Sequence, residues 1–291
     1  RLQRNDGEQQ IKALNLTLPP GLSGKLAGVA TCSDAAIAEA DASTGTDELS
    51  SPACPSSSQI GEIKAGAGAG TQPYYTTGKI YLSGPYKGAP LSAAVVIPAV
   101  AGPFDLGTVV VRAAAEINPI TAQITVTSDA APRILEGIPL QVRDIQVEMD
   151  RPDFTINPTS CNPMSIGGEA ISVFDQVASL SERFQVGACR GLEFKPRLSL
   201  RLKGGTKRGG HPALRAVLSA KAGEANIART IVALPRSAFL DQGHIRTVCT
   251  RPQLAAHDCP KSAIYGYAKA STPLLAKPLK GPVYMTPSKH T

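Results

Sequence analysis

Gly7-Glu8-Gln9-Gln10-Ile11, running on to Leu18-Pro19, is answered 216 positions later by Gly223-Glu224-Ala225-Asn226-Ile227, running on to Leu234-Pro235. Gly, Glu, Ile, Leu and Pro coincide at that one offset. Cys32 then matches Cys249 at an offset of 217. Cys54-Pro55, Ser57 and Gly61 match Cys259-Pro260, Ser262 and Gly266 at 205, and Gly78 and Tyr81 match Gly281 and Tyr284 at 203. A constant order of features across three short indels reads as one module occurring twice. The second copy is 12 residues shorter between its cysteines, 10 positions from Cys249 to Cys259 against 22 from Cys32 to Cys54. It stops at Thr291 with nothing to match Gly88–Arg190. An open sheet edge is therefore expected there, covered by earlier chain, by further residues or by a neighbouring subunit, since soluble proteins avoid bare edges.

Within the module, Leu14, Leu16 and Leu18 alternate as in a strand, and Pro19-Pro20 ends the ladder because proline brings no N–H. A short Ala-rich helix is predicted over 33–42, with Ser33 as N-cap and Asp34 near the positive helix end. Strands are predicted at 60–65, 79–82, 93–97, 108–112, 122–127, 140–148 and 154–156. Ile124 and Val126 alternate with Thr125 and Thr127, and Ile145, Val147 and Met149 share one face. Period two punctuated by 27 Gly and 24 Pro is the pattern of a sandwich or barrel. The expected fold class is mainly β: tandem β-sandwich-like modules with short disulfide-tied helices. The first module spans 1–192, and the second, truncated, spans 193–291.

At 291 residues the chain is long enough for two domains, each with its own core. Aromatics are 4% and Trp is absent, so cores must be built from Leu, Ile, Val and Ala, and an aromatic sugar-stacking platform is disfavoured. The net charge of +7 is local. Between Lys195 and Lys221 lie eight basic residues and no acidic one; without them 22 basic groups face 23 acidic. The most apolar stretch, 91–111, is broken by Pro98, Gly102, Pro103 and Asp105, too soon for a spanning helix. The start at Arg1 reads as a fragment of a longer precursor whose leader lies elsewhere.

The six cysteines allow 15 pairings in principle. The repeat places Cys32–Cys54 and Cys249–Cys259 at equivalent positions, which leaves Cys161–Cys189. Disulfides imply an oxidising compartment. No C-x2-C spacing occurs and His257 has no partner at ligand distance, so zinc is not indicated.

The strings Leu18-Pro19-Pro20-Gly21-Leu22, Gly84-Pro85-Tyr86-Lys87-Gly88-Ala89-Pro90-Leu91, Asn157-Pro158-Thr159-Ser160-Cys161 and the turn sequence 203–212 around Lys207-Arg208 carry a resemblance. They resemble large, uncharacterised secreted repeat proteins of high-GC soil actinobacteria, over nearly the whole chain. The resemblance implies an exported protein with a leader upstream and more chain downstream. It brings no activity and assigns no functional residue.

The clearest candidate site is a basic hairpin. Leu198, Leu200 and Leu202 alternate with Arg197, Arg201 and Lys203, and after a Gly-rich turn carrying Lys207 and Arg208, Leu214, Ala216 and Leu218 alternate with Arg215, with Lys221 close behind. On a β ribbon the apolar set is expected to face the core and the cations to face outward. Such a stripe suits anionic cell-wall polymer or polysaccharide; the absence of aromatics from 195 to 221 argues against single-stranded nucleic acid.

Other chemistry is poorly supported. Asp34, Glu39, Asp41, Asp47 and Glu48 match no calcium-loop spacing and read as a solvated helix face. No G-x-S-x-G occurs, and His211, His244, His257 and His290 are scattered. Glu148, Asp150 and Asp153 form the densest carboxylate group, read as structural. Gly66-Ala67-Gly68-Ala69-Gly70 lacks the Lys-Ser/Thr of a nucleotide site. No cofactor or metal is expected. The sequence points to a secreted, non-enzymatic structural or adhesive protein. Its alternatives are a glycan- or polymer-degrading enzyme or its binding module, and a filament subunit that self-associates by β-strand addition at the open edge.

Overall fold

The computed structural model describes residues 1–119, 121–205, 207–221, 223–227, 229–233, 241–245 and 247–287. The matched pair Leu234-Pro235, and His290, lie outside them. The chain divides into two compact units, Arg1–Gly191 and Leu192–Thr291.

The first unit holds strands β1 (Leu2–Gln3), β2 (Ile11–Thr17), β3 (Ser23–Gly24), β4 (Gln59–Ala67), β5 (Tyr74–Ser83), β6 (Leu91–Ala101) and β7 (Phe104–Ile117). It continues with β8 (Ile124–Ser128), β9 (Ile134–Leu135), β10 (Ile138–Pro139), β11 (Val142–Glu148), β12 (Thr155–Ile156), β13 (Met164–Ser172) and β14 (Val177–Phe184). Ten of these join one curled sheet in the order β1-β11-β4-β5-β6-β7-β8-β2-β13-β14. A sandwich of two facing sheets was expected. The long strands instead hydrogen-bond into one ladder, because β11 returns to pair with β4 and β13 returns to pair with β2.

The middle of that sheet is covered on both sides. On one face Tyr81, Ala94 and Val96 pack with Cys32, Cys54, Ile37 and Ala40 beneath helix α1 (Asp34–Ala42). On the other, Ile60, Ile63, Ile80, Leu82 and Ile97 pack with Phe154. The alternation of Ile80, Tyr81 and Leu82 between the two clusters is the period-two rule with both faces apolar. Helix α1 begins as expected: the Ser33 hydroxyl accepts the Ala36 N–H at 3.2 Å and Asp34 sits in the first turn. A second helix, α2 (Gly45–Ser50), is capped by Thr44 and anchored from across the chain, where the Asp105 carboxylate accepts the N–H groups of Gly45 and Thr46, each at 2.8 Å. The Thr46 side chain first, then the N–H groups of Thr46, Gly107 and Gly45, hold the Asp105 carboxyl far below the usual carboxylate range.

In the second unit lie β15 (Arg197–Lys203), β16 (Ala213–Ser219), helix α3 (Arg251–Ala255), β17 (Ile264–Ala270) and β18 (Leu279–Tyr284). They form two separate two-stranded ribbons, β15–β16 and β17–β18. A core of its own was expected here. Among the described residues only Cys249 and Ala263 are buried apolar side chains, whereas Leu198, Leu202, Leu214, Val283 and Leu279 are all exposed. Residues 229–233, which align in sequence with part of β2, form no strand. In the first unit β2 is held between β8 and β13.

Candidate functional site: the cationic hairpin and the stapled ribbons

All three expected disulfides are present, Cys32–Cys54, Cys161–Cys189 and Cys249–Cys259, with Cα–Cα distances of 5.3, 6.0 and 5.3 Å, and no cysteine is free. Bridges of this kind belong to an oxidising, non-cytoplasmic compartment. No helix among the described residues is long and apolar enough to cross a membrane.

The first and third bridges are set in the same local geometry. Ser33 and Thr250 each follow the leading cysteine and each cap a helix, Ser33 accepting from the Ala36 N–H and Thr250 from the Gln253 N–H. After the closing cysteine, Pro55 and Pro260 each begin a 3-10 turn, and their carbonyls accept from the N–H groups of Ser58 and Ala263, both at 2.9 Å. The strands that follow, β4 and β17, each carry a register shift at the same place, between Gln59 and Gly61 and between Ile264 and Gly266. Finally, the Cys32 N–H donates to Leu82 O and the Cys249 N–H to Met285 O, each at 2.8 Å.

The basic hairpin forms, and its register sorts the side chains. Arg197, Ser199, Arg201 and Lys203 pair with Ser219, Val217, Arg215 and Ala213 on one face. Leu198, Leu200 and Leu202 pair with Leu218, Ala216 and Leu214 on the other. Four cations thus share one face, with Arg201 directly opposite Arg215; Lys207 and Arg208 stand in the turn and Lys221 beyond the ribbon. Glycine is required in the turn: Gly205 has φ +47°, and a Cβ on Gly210 would lie 2.1 Å from the Gly205 carbonyl. No ion pair to these seven cations occurs among the described residues, whereas Lys195 pairs with Glu193 at 3.0 Å. The apolar face was expected to meet the core. Both faces are exposed along all of β15 and β16.

The histidines are less scattered than their spacing suggests. His244 Nδ1 lies 2.7 Å and His211 Nδ1 3.7 Å from Asp241 Oδ2, and the two rings are 5.2 Å apart. The His244 contact pulls the Asp241 carboxyl below its ordinary range. All three side chains are exposed, and no metal-binding group is found among the described residues.

Two carboxylates are buried, Asp144 and Glu48; Glu48 was expected on a solvated helix face, but α2 places it, 3% exposed, beside Tyr81. Asp144 accepts from Arg1 at 3.0 and 2.7 Å and from the Tyr75 hydroxyl at 2.8 Å, and its pKa falls to about 2, chiefly through the Arg1 bonds. Glu48 lines a depression of about 210 Å3 with Glu62, Thr77, Lys79 and Tyr81. Burial pushes the Glu48 carboxyl up, opposed by the Ala53 N–H, and lifts the Tyr81 phenol to about 12. Glu148, Asp150 and Asp153 lie around the end of β11, with Asp153 in a left-handed turn at φ +57°. Comparison of the chain with protein-family models, with curated proteins and with solved structures finds no match.

Proposed function

We propose that the chain is a structural, adhesive segment of a secreted repeat protein, and that the β15–β16 hairpin grips anionic cell-wall polymer. The observation that carries this reading is the hairpin itself. It stands exposed on both faces, with Arg197, Arg201, Lys203 and Arg215 on one of them and no ion pair to these four among the described residues. Successive cations on one strand, such as Arg201 and Lys203, are about 7 Å apart. Arg201 opposite Arg215 is a like-charge pair that destabilises the bare ribbon. A polyanion laid along the ribbon relieves that repulsion and gains charge-assisted hydrogen bonds. The stapled unit built twice, and disulfides that need an oxidising compartment, support the secreted repeat setting. The test is retention on teichoic-acid-coated beads by the full chain and by a variant with Arg197, Arg201, Lys203 and Arg215 all replaced by Gln. The reading expects retention of the unchanged chain and its loss in the variant, with all three disulfides still formed. Equal retention of both would overturn it.

A further inference from the structure

The depression of about 210 Å3 in the first unit is walled by polar groups that the fold leaves unused. Glu48 and Leu49 enter it from α2, Glu62 from β4, and Lys79 and Tyr81 from β5, where a spacing of two puts both on one face. Tyr81 is 1% exposed, yet its hydroxyl makes no hydrogen bond among the described residues. A buried phenol ordinarily finds a partner. Its ring packs with Ile37, Ala40 and Val96, and its oxygen lies within electrostatic reach of Glu48, so the hydroxyl end is what meets the depression. Glu62 and Lys79 stand directly opposite each other in the β4–β5 ladder. Opposite charges so placed ordinarily interact, but no ion pair or hydrogen bond joins these two among the described residues. Glu48, 3% exposed, gives Oε2 to the Ala53 N–H at 3.1 Å and Oε1 to no protein group among the described residues.

The chemistry of these groups says what fits. An entering cation is repelled by Lys79, and an entering anion by Glu48 and Glu62. A neutral hydroxyl both donates and accepts, so it can serve carboxylate, ammonium and phenol alike. Leu49 and Val96 add an aliphatic wall suited to C–H groups. The volume is below the roughly 300 Å3 at which pockets for drug-sized molecules begin, so the occupant is small. Leu49 is 58% exposed, which leaves the mouth open to solvent. A compact C–H frame carrying several hydroxyls meets every one of these conditions.

We propose that this depression binds one neutral sugar ring, its hydroxyls held by Glu48, Glu62, Lys79 and Tyr81 and its C–H groups resting on Leu49 and Val96. The site belongs to the first unit and does not depend on the cationic hairpin.

The probes are glucose, galactose, mannose and N-acetylglucosamine, each titrated against the full chain by saturation-transfer NMR. At least one should receive saturation with a measurable Kd. Tyr81→Phe removes only a hydroxyl that has no protein partner among the described residues, so melting should stay the same while Kd rises about tenfold. Lys79→Met, at a half-buried position, should weaken binding likewise and carries the test if Tyr81→Phe fails to fold. The uronic acid and the 2-amino form of the sugar that binds should each bind about tenfold or more weakly. The variant with Arg197, Arg201, Lys203 and Arg215 replaced by Gln should bind it unchanged. The proposal is overturned by no saturation of any of the four sugars, by an unchanged Kd in a folded variant of the depression, by equal binding of the charged forms, or by loss of binding in the hairpin variant. Equal binding of N-acetylalaninamide would also overturn it, since that would make the site one for amides.

Discussion

The backbone N–H of Cys249 donates to the carbonyl of Met285 at 2.8 Å, so the third disulfide is fastened to the end of β18 as well as to its own helix. Cys32 does the same to Leu82 at the end of β5. A covalent loop, a capped helix and a strand end are tied into one small unit at both places, although the second loop is 12 residues shorter.

The bridges should differ in worth. Cys32 and Cys54 are 1% and 2% exposed and belong to the core, so replacing both by Ala removes buried sulfur as well as the cross-link. The expected loss is about 3–5 kcal/mol, against roughly 2–3 kcal/mol for replacing the half-buried Cys161–Cys189 pair by Ser. Denaturant unfolding of the two double variants, followed on the first unit, measures the difference. Equal losses would show that burial adds nothing.

Gly78 and Gly281 occupy matching places but not matching surroundings. A Cβ on Gly78 would sit 2.4 Å from the Val96 carbonyl and 2.8 Å from Ile97 Cα, while a Cβ on Gly281 meets nothing within 4 Å. Gly78→Ala is expected to cost about 2–4 kcal/mol by forcing β5 from β6, and Gly281→Ala to stay within roughly 0.5 kcal/mol. Thermal melting of the two single variants checks both.

Asp144 gives the fold an acid limit. Its carboxyl titrates at about 2 in the folded chain, below the roughly 3.9 of an unfolded aspartate. Because the folded value is depressed, the stabilisation is fully present above about pH 4 and is lost as pH falls through about 2. With Arg1 half exposed, the contribution is on the order of 1 kcal/mol. Asp144→Asn should lower stability by about that amount at neutral pH and flatten its decline between pH 4 and 2. Stability measured against pH for both chains tests this; parallel curves would contradict it.

Much of the first unit was legible because local rules and tertiary structure agree there. Ile124 and Val126 alternate, Ser33 caps, Pro19-Pro20 stops a strand, and each does in the fold what its chemistry dictates. The β13–β14 hairpin has no clean local signal, because Gly167-Gly168 interrupts its apolar run. Gly168 is in fact needed by close approach, since a Cβ would lie 2.4 Å from the Asn15 carbonyl of β2, and no local signal carries that. The Asp144 network was equally hidden, because its partners come from 69 and 143 positions away. For the hairpin, the spacing of Arg197, Arg201 and Lys203 set which side chains share a face. It could not tell whether the leucine face would find a core, because that depends on strands elsewhere.

The proposed hold of the hairpin on an anionic polymer is electrostatic. The most direct measurement is the affinity of the full chain for purified teichoic acid as a function of salt. If Arg197, Arg201, Lys203, Arg215, Lys207 and Arg208 do the holding, affinity should fall by about tenfold or more between roughly 50 and 200 mM salt, with log affinity linear in log salt concentration. An affinity that stays constant over that range would contradict the account.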